Sequence, residues 1–447
     1  MTKIDEIRQL FEAEGIRRVK LGGFDVDGIL RGKYVRPEKF FSAAEKGLGY
    51  CDVIFGWDSN DQLYDNTKFT GWHSGYPDLD ARIDLDTMRI VPWEEGVAAF
   101  LLDFDPEVCP RQGLKRVIAE IEKEGYTPKV GFEYEFFLFD EQPHELHAKG
   151  FRELRSLTPG MFGYSWLRSS QQSELVHDLM DGLEAFDIDL EGFHTETGPG
   201  VYEAAIGADD ALAAADKAAL FKTAVKEICS HHGVTACFMA KWSNAYPGCS
   251  GHIHQSLWRE GENAFVGDDP DELYGMSKTM MHFLAGQLAL MPELTVFYAP
   301  NINSYKRLVP GTWAPTSVTW GLENRTCAAR VITGPGPKAM RVEMRLPGSD
   351  TNPYLALSAS LASGLQGVRT QAVLMPETRG NGYEADEAPP LPENLQKATE
   401  RLKGSRLAPQ LLGEGLVDHF VRTREWEVRE AQKAVTDWEL KRYFELA

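Results

Sequence analysis

Apolar and polar positions along this chain alternate in two distinct rhythms. The opening MTKIDEIRQLFEAEG spaces its apolar residues as one side of a helix against an acidic side, which predicts an amphipathic helix. Residues 17–40 then alternate as short strands around a hairpin turn at Asp25–Gly28, and residues 86–104 predict two more. From Gln112 a helix sets Leu114, Val117, Ile118 and Ile121 on one face, and Gly125 ends it. Asp105–Pro110, with prolines at 106 and 110, reads as a linker. The expected domains are therefore 1–108 and 109–447. Beyond it, strands mix with helices expected at 209–232, 270–291, 353–367 and 414–441. The polar, turn-rich segment 376–394 predicts a surface loop.

Three strand-like segments carry the chemistry. Alternate residues of a strand face the same way. In GFEYEFFLFD, Glu133 and Glu135 share a face opposite Phe132, Tyr134, Phe136 and Leu138. In SGHIHQSLW, His252, His254 and Ser256 share one; in MRVEMRLPG, Arg341, Glu343 and Arg345 oppose Val342, Met344 and Leu346. One charged strand face alone reads equally well as solvated surface. Three of them, each with paired ionisable groups, point to a cleft. The neighbouring carboxylates of Glu-x-Glu repel unless a cation lies between them. Several carboxylates with an imidazole form a hard-oxygen set suited to Mg²⁺ or Mn²⁺ rather than zinc. Clustered arginines (Arg307, Arg325, Arg330, Arg341, Arg345) beside such ions suit phosphoryl transfer from a nucleotide.

Composition narrows the partners. The 447 residues carry a net charge of −20, which argues against nucleic acid and against anionic membrane surfaces, since both select basic patches. The six cysteines show no regular spacing and read as reduced thiols. The acidic first helix is no signal peptide, and the apolar stretch from Met280 to Tyr298 is interrupted by His282, Gln287, Pro292 and Glu293, so it cannot span a bilayer. The expected location is the cytoplasm. No Walker A sequence and no GxGxxG after a strand is present, so ATP would be used without a P-loop. His231 and His232 read as a solvated pair, and His144, His147 and His282 lack partners at metal spacing. The aromatic face from Trp426 to Phe444 reads as core or subunit contact.

Taken in order, these motifs resemble the glutamine synthetase family of the bacterial class I type over nearly the whole chain. The resemblance implies an α+β fold: a small N-terminal β-grasp domain and a larger catalytic domain whose curved antiparallel sheet is flanked by helices. It implies one metal held by Glu135, Glu196 and Glu203, the last two from HTETGPGVYEAAIG, and a second held by Glu133, His252 and Glu343. Arg307 in SYKRLVPG, Arg345, Gly248 and His252 would contact glutamate. Arg325 and Arg330 in LENRTCAAR would serve the phosphates, and Arg341, His254 and Ser256 the nucleotide. YDNTKFTGW aligns with the loop whose aspartate helps bind and deprotonate ammonium, which places Asp65 in that role. The family's active sites lie between subunits, so the implied assembly is a homododecamer of two hexameric rings. Its substrates would be L-glutamate, ATP and an amine, with two or three Mg²⁺ or Mn²⁺ per site.

Some positions depart from the family pattern. The flap after RLVPG reads TWAP, which puts Trp313 where a carboxylate normally faces the ammonium ion. An indole offers an apolar wall or a cation–π face worth about 0.5–2 kcal/mol and favours an organic amine. Val201, Gly348 and Lys68 also depart, and Tyr383 lacks the flanks of an adenylylation loop. These features resemble the enzymes that make γ-glutamylmethylamide and other γ-glutamylamines. Trp313 as a mere packing change would leave a glutamine synthetase. A catalytically silent relative would lose metal ligands, and all six positions are filled.

Overall fold

In the computed structural model, residues 2–104, 107–268 and 273–446 are described. Residues 105 and 106 of the expected linker, and 269–272, which include the start of the helix expected from 270, lie outside them. Thr2 and Asp5 form a reciprocal cap on the helix Lys3–Ala13, which buries Ile7 and Phe11. These pack on a six-stranded sheet of β1 (Arg18–Phe24), β2 (Leu30–Val35), β3 (Leu48–Cys51), β4 (Asp78–Ile83), β5 (Arg89–Ile90) and β6 (Val97–Phe104). Its order is β2-β1-β6-β4-β3, with β5 on β6. β1 and β6 run parallel while β1 and β2 form the expected hairpin, giving the β-grasp arrangement.

The larger sheet has nine strands: β7 (Thr127–Phe139), β8 (Leu190–Thr195), β9 (Val201–Asp210), β10 (Thr235–Cys237), β11 (Gly251–Arg259), β12 (Glu262–Asn263), β13 (Trp320–Leu322), β14 (Ala329–Ile332) and β15 (Arg341–Met344). Their order is β13-β14-β15-β11-β7-β9-β8, antiparallel except for β13 beside β14. The alternation expected in β7 holds. Phe132, Tyr134, Phe136 and Leu138 are buried in the main core, where Phe221 of the helix Ala211–His231 stacks on Tyr134 at 6.0 Å. The helices Lys278–Tyr298 and Pro353–Thr370 meet backbone to backbone. A Cβ on Gly367 would lie 2.1 Å from the His282 carbonyl oxygen, so only glycine fits there.

Helix boundaries were less legible. The helix expected at 270–291 runs instead from Lys278, capped by Ser277, to Tyr298 with Pro292 inside it. Tyr274, with φ of 57°, turns the chain before it starts. The last helix splits in two: Glu414–Lys433 ends ahead of a fresh cap at Thr436, and Asp437–Tyr443 follows. Trp438, Tyr443 and Phe444 are exposed, so that end of the aromatic face is not core. The segment 376–394 is only partly surface. Gly382 is buried, its N–H bonds Thr326 Oγ1 at 2.7 Å, and Tyr383 is half-buried against the Trp313 backbone.

Candidate active site

Strand register assembles one row of ionisable groups across the large sheet. His194 on β8 faces Glu203 on β9, which faces Glu135 on β7. Two residues back along β7, Glu133 faces His252 on β11. His254, next on the same face of β11, faces Glu343 on β15, which faces Arg330 on β14. Because each residue sits at an alternate strand position, all of these project to the side away from the aromatic core.

The distances are those of interacting groups. His252 Nδ1 lies 3.3 Å from Glu133 and 3.2 Å from Glu343. His254 Nε2 is 2.9 Å from Glu133, and its Nδ1 accepts from Arg341 Nε at 3.1 Å. Glu343, 1% exposed, also receives Arg330 at 3.0 Å and Arg345 at 2.5 Å. Burial pushes the Glu133 carboxyl upward, but the His254 and His252 imidazoles override it and hold it well below the usual range. Glu343 is held at about 2: burial raises it, and His252, Arg345 and His254 more than offset that. At the other end Glu196 is raised by burial and by the neighbouring Glu135 and Glu203 charges. His194 is raised, chiefly by its hydrogen bond to Glu203.

A cleft of about 560 Å³ opens on this row. Glu133, Glu135, Glu196, Glu203, His252, Glu343, Gly248, Arg307, Arg325, Arg330, Arg345 and Trp313 all line it. Of the remaining candidates, His254 and Arg341 lie behind Glu133. Ser256 accepts from Trp258 Nε1 at 2.9 Å. Asp65 does not line the cleft of its own chain; its carboxylate meets Arg429 at 2.5 Å. Arg307 is buried, donating to the Leu346 and Arg345 carbonyls at 2.9 and 3.2 Å. Trp313 stands 58% exposed in a left-handed backbone conformation, φ 62°.

Among the lining residues that sequence reasoning missed are His194 and Tyr164. His194 groups with Glu196 and Glu203 at metal-ligating distances, and the alternation in HTET carried the signal, with His194 two before Glu196. Tyr164 stacks on the His194 ring at 4.3 Å from a loop with no periodic pattern to reveal it.

The donor set fits divalent cations. Clustered carboxylates that raise one another need positive charge between them, and the buried His252 Nε2 has no hydrogen-bond partner. A row of oxygen and imidazole donors flanked by guanidinium groups defines a class of enzyme that neutralises phosphoryl groups.

Known proteins narrow the class. Residues 107–443 match the glutamine synthetase catalytic domain. The chain is 50% identical over 441 residues to type-1 glutamine synthetase 2 of Dictyostelium discoideum, covering 96% of this chain and 84% of that one. It is 38% identical over 454 residues to the glutamate–isopropylamine ligase of Pseudomonas sp, covering 99% and 98%. A solved structure of GmaS with ADP matches with a TM-score of 0.84 at 28% identity, over 98% of each chain. The chain belongs to the glutamine synthetase family. Enzymes of this family use ATP and divalent metal ions. Among the described residues no helix is long and apolar enough to cross a membrane.

Proposed function

We propose that this chain is an ATP-dependent carbon–nitrogen ligase that joins the γ-carboxylate of L-glutamate to a small organic amine. The observation that carries the choice of amine is the aromatic lining of the cleft. Trp313 and Tyr164 flank the carboxylate row where a site for bare ammonium would present anions. The isopropylamine ligase among its relatives supports this reading. Ammonia is the second reading, favoured by the name of the Dictyostelium relative.

In the proposed roles, Glu133, His252 and Glu343 hold one Mg²⁺ or Mn²⁺, and Glu135, Glu196 and Glu203, joined by His194, hold another. Bound there, the ions neutralise charge on the phosphates and the γ-carboxylate. Arg307, Arg345 and Gly248 fix glutamate, with Arg307 locked in direction by its two backbone carbonyls. Arg325 and Arg330 draw charge from the transferring phosphoryl group, and Arg341, His254 and Ser256 serve the nucleotide. The γ-carboxylate oxygen attacks the terminal phosphorus of ATP, ADP leaves, and a γ-glutamyl phosphate forms. Asp65 of a neighbouring subunit takes a proton from the alkylammonium ion. The freed nitrogen lone pair attacks the acyl carbon, the bond from that carbon to the phosphate oxygen breaks, and phosphate departs with the second proton lost from the nitrogen.

This arrangement goes with a two-domain division near residue 108, a dodecamer of two six-membered rings with sites between subunits, and a cytoplasmic location. Product analysis tests the reaction. Glutamate, ATP, Mg²⁺ and a panel of primary amines that includes ammonium should give ADP, phosphate and a γ-glutamyl amide. AMP and pyrophosphate would rule out the acyl phosphate.

A further inference from the structure

The loop that carries Asp65 is tied to one face of one helix. Asp58 accepts from Trp426 Nε1 at 3.1 Å. Asn66 donates to the Arg422 carbonyl at 2.8 Å, and Arg422 donates back to the Asn66 carbonyl at 3.0 Å. Lys68 lies 2.9 Å from Asp418, and Asp65 accepts from Arg429 at 2.5 Å. Asp418, Arg422, Trp426 and Arg429 are spaced four, four and three along Glu414–Lys433, which puts them on a single face. Trp426 anchors the group: the Arg429 guanidinium lies over its ring at 4.8 Å, and Tyr64, the residue before Asp65, packs against it edge-on at 5.8 Å.

Exposed ion pairs add little stability, and Asp65 is largely exposed while Arg429 is half-buried, so cohesion alone does not account for this match. A bonded guanidinium does fix where a carboxylate points, and a general base depends on placement to a fraction of an ångström. We propose that the polar face of this helix is a positioning element for the amine step, in which Arg429 orients Asp65 and Trp426 and Arg422 hold the loop. The inference rests on the reading of Asp65 given above. It adds that the C-terminal helix, remote in sequence from every cleft motif, governs amine use.

The test uses the full-length assembled protein. Arg429→Gln should raise KM for the amine about ten-fold, with KM for glutamate and ATP within about two-fold of wild type. The slow glutamate-dependent hydrolysis of ATP without amine should not change, and Arg429→Lys should recover part of the loss. Trp426→Phe, which keeps the packing and removes the bond to Asp58, should shift amine KM the same way by less. Parallel rises in all three KM values with a lowered melting point would reduce the helix to a structural prop and overturn the proposal. So would an unchanged amine KM in Arg429→Gln alongside a damaged Asp65→Asn. A wild-type-like Asp65→Asn would instead remove the reading of Asp65, and this inference with it.

Discussion

His194 on β8 faces Glu203 on β9, its Nε2 3.3 Å from the carboxylate, and Tyr164 lies flat against its other side. The ring is thus held at the end of the ionisable row, and the Glu203 hydrogen bond raises its basicity. A histidine so placed would tune a metal held there, whether it ligated directly or through the carboxylate.

The first prediction follows from that contact. His194→Ala should raise the Mg²⁺ or Mn²⁺ concentration needed for half-maximal activity by about 10–100-fold while leaving the fold intact. Glu343→Ala removes a buried member of the row and should lower turnover by orders of magnitude. Metal titration, by activity and by calorimetry, reads both; normal metal dependence in His194→Ala would dissociate it from the site.

Trp313 supplies the second. An indole wall covers alkyl surface at about 0.8 kcal/mol per buried CH₂, and ammonium has no alkyl surface to cover. Wild type should prefer an alkylamine over ammonium by at least about ten-fold in kcat/KM, and Trp313→Glu should move that ratio toward ammonium. A wild type that prefers ammonium would make this a glutamine synthetase with an altered flap.

Legibility followed periodicity. The β7, β11 and β15 faces could be read because a strand's period of two leaves no freedom about which residues share a side. The antiparallel register then set Glu133 beside His252. Where no period exists the reading stopped: Tyr164 enters from an aperiodic loop, and Tyr383 reaches Trp313 from a segment whose polarity suggested solvent. Pro292 misled in a different way. Local preference argues for ending a helix there, but burial of Leu294, Val296 and Phe297 carries Lys278–Tyr298 past it. The partner of Asp65, Arg429, lies 364 residues away, a pairing no local pattern encodes.

The third prediction concerns pH. His419, 2% exposed beneath the Asp65 loop and against Phe69, is pushed down to about 4, mainly by burial. Arg424 and Arg422 push it the same way, while Asp418 and the Phe55 backbone oppose. The unfolded ring titrates near 6.5, so between pH 6.5 and 4 the unfolded chain binds the extra proton. Stability is complete above 6.5 and falls by at most about 3 kcal/mol as pH drops to 4. Melting temperature should decline over that window in wild type and less steeply in His419→Gln. Parallel slopes would assign the acid sensitivity elsewhere.

The doubled duty of β7 sets a rule for descent. One face of this strand is core and the other lines the cleft, so inserting or deleting one residue between the irregularity at Val130/Phe132 and Glu135 would turn the side chains beyond it to the wrong faces. Point substitution can vary this segment, but length cannot. The interval from Glu133 to Glu135 is therefore a fixed ruler, whereas the flap and loop bearing Trp313 and Tyr164 are bound by no strand period and leave room for a change of amine.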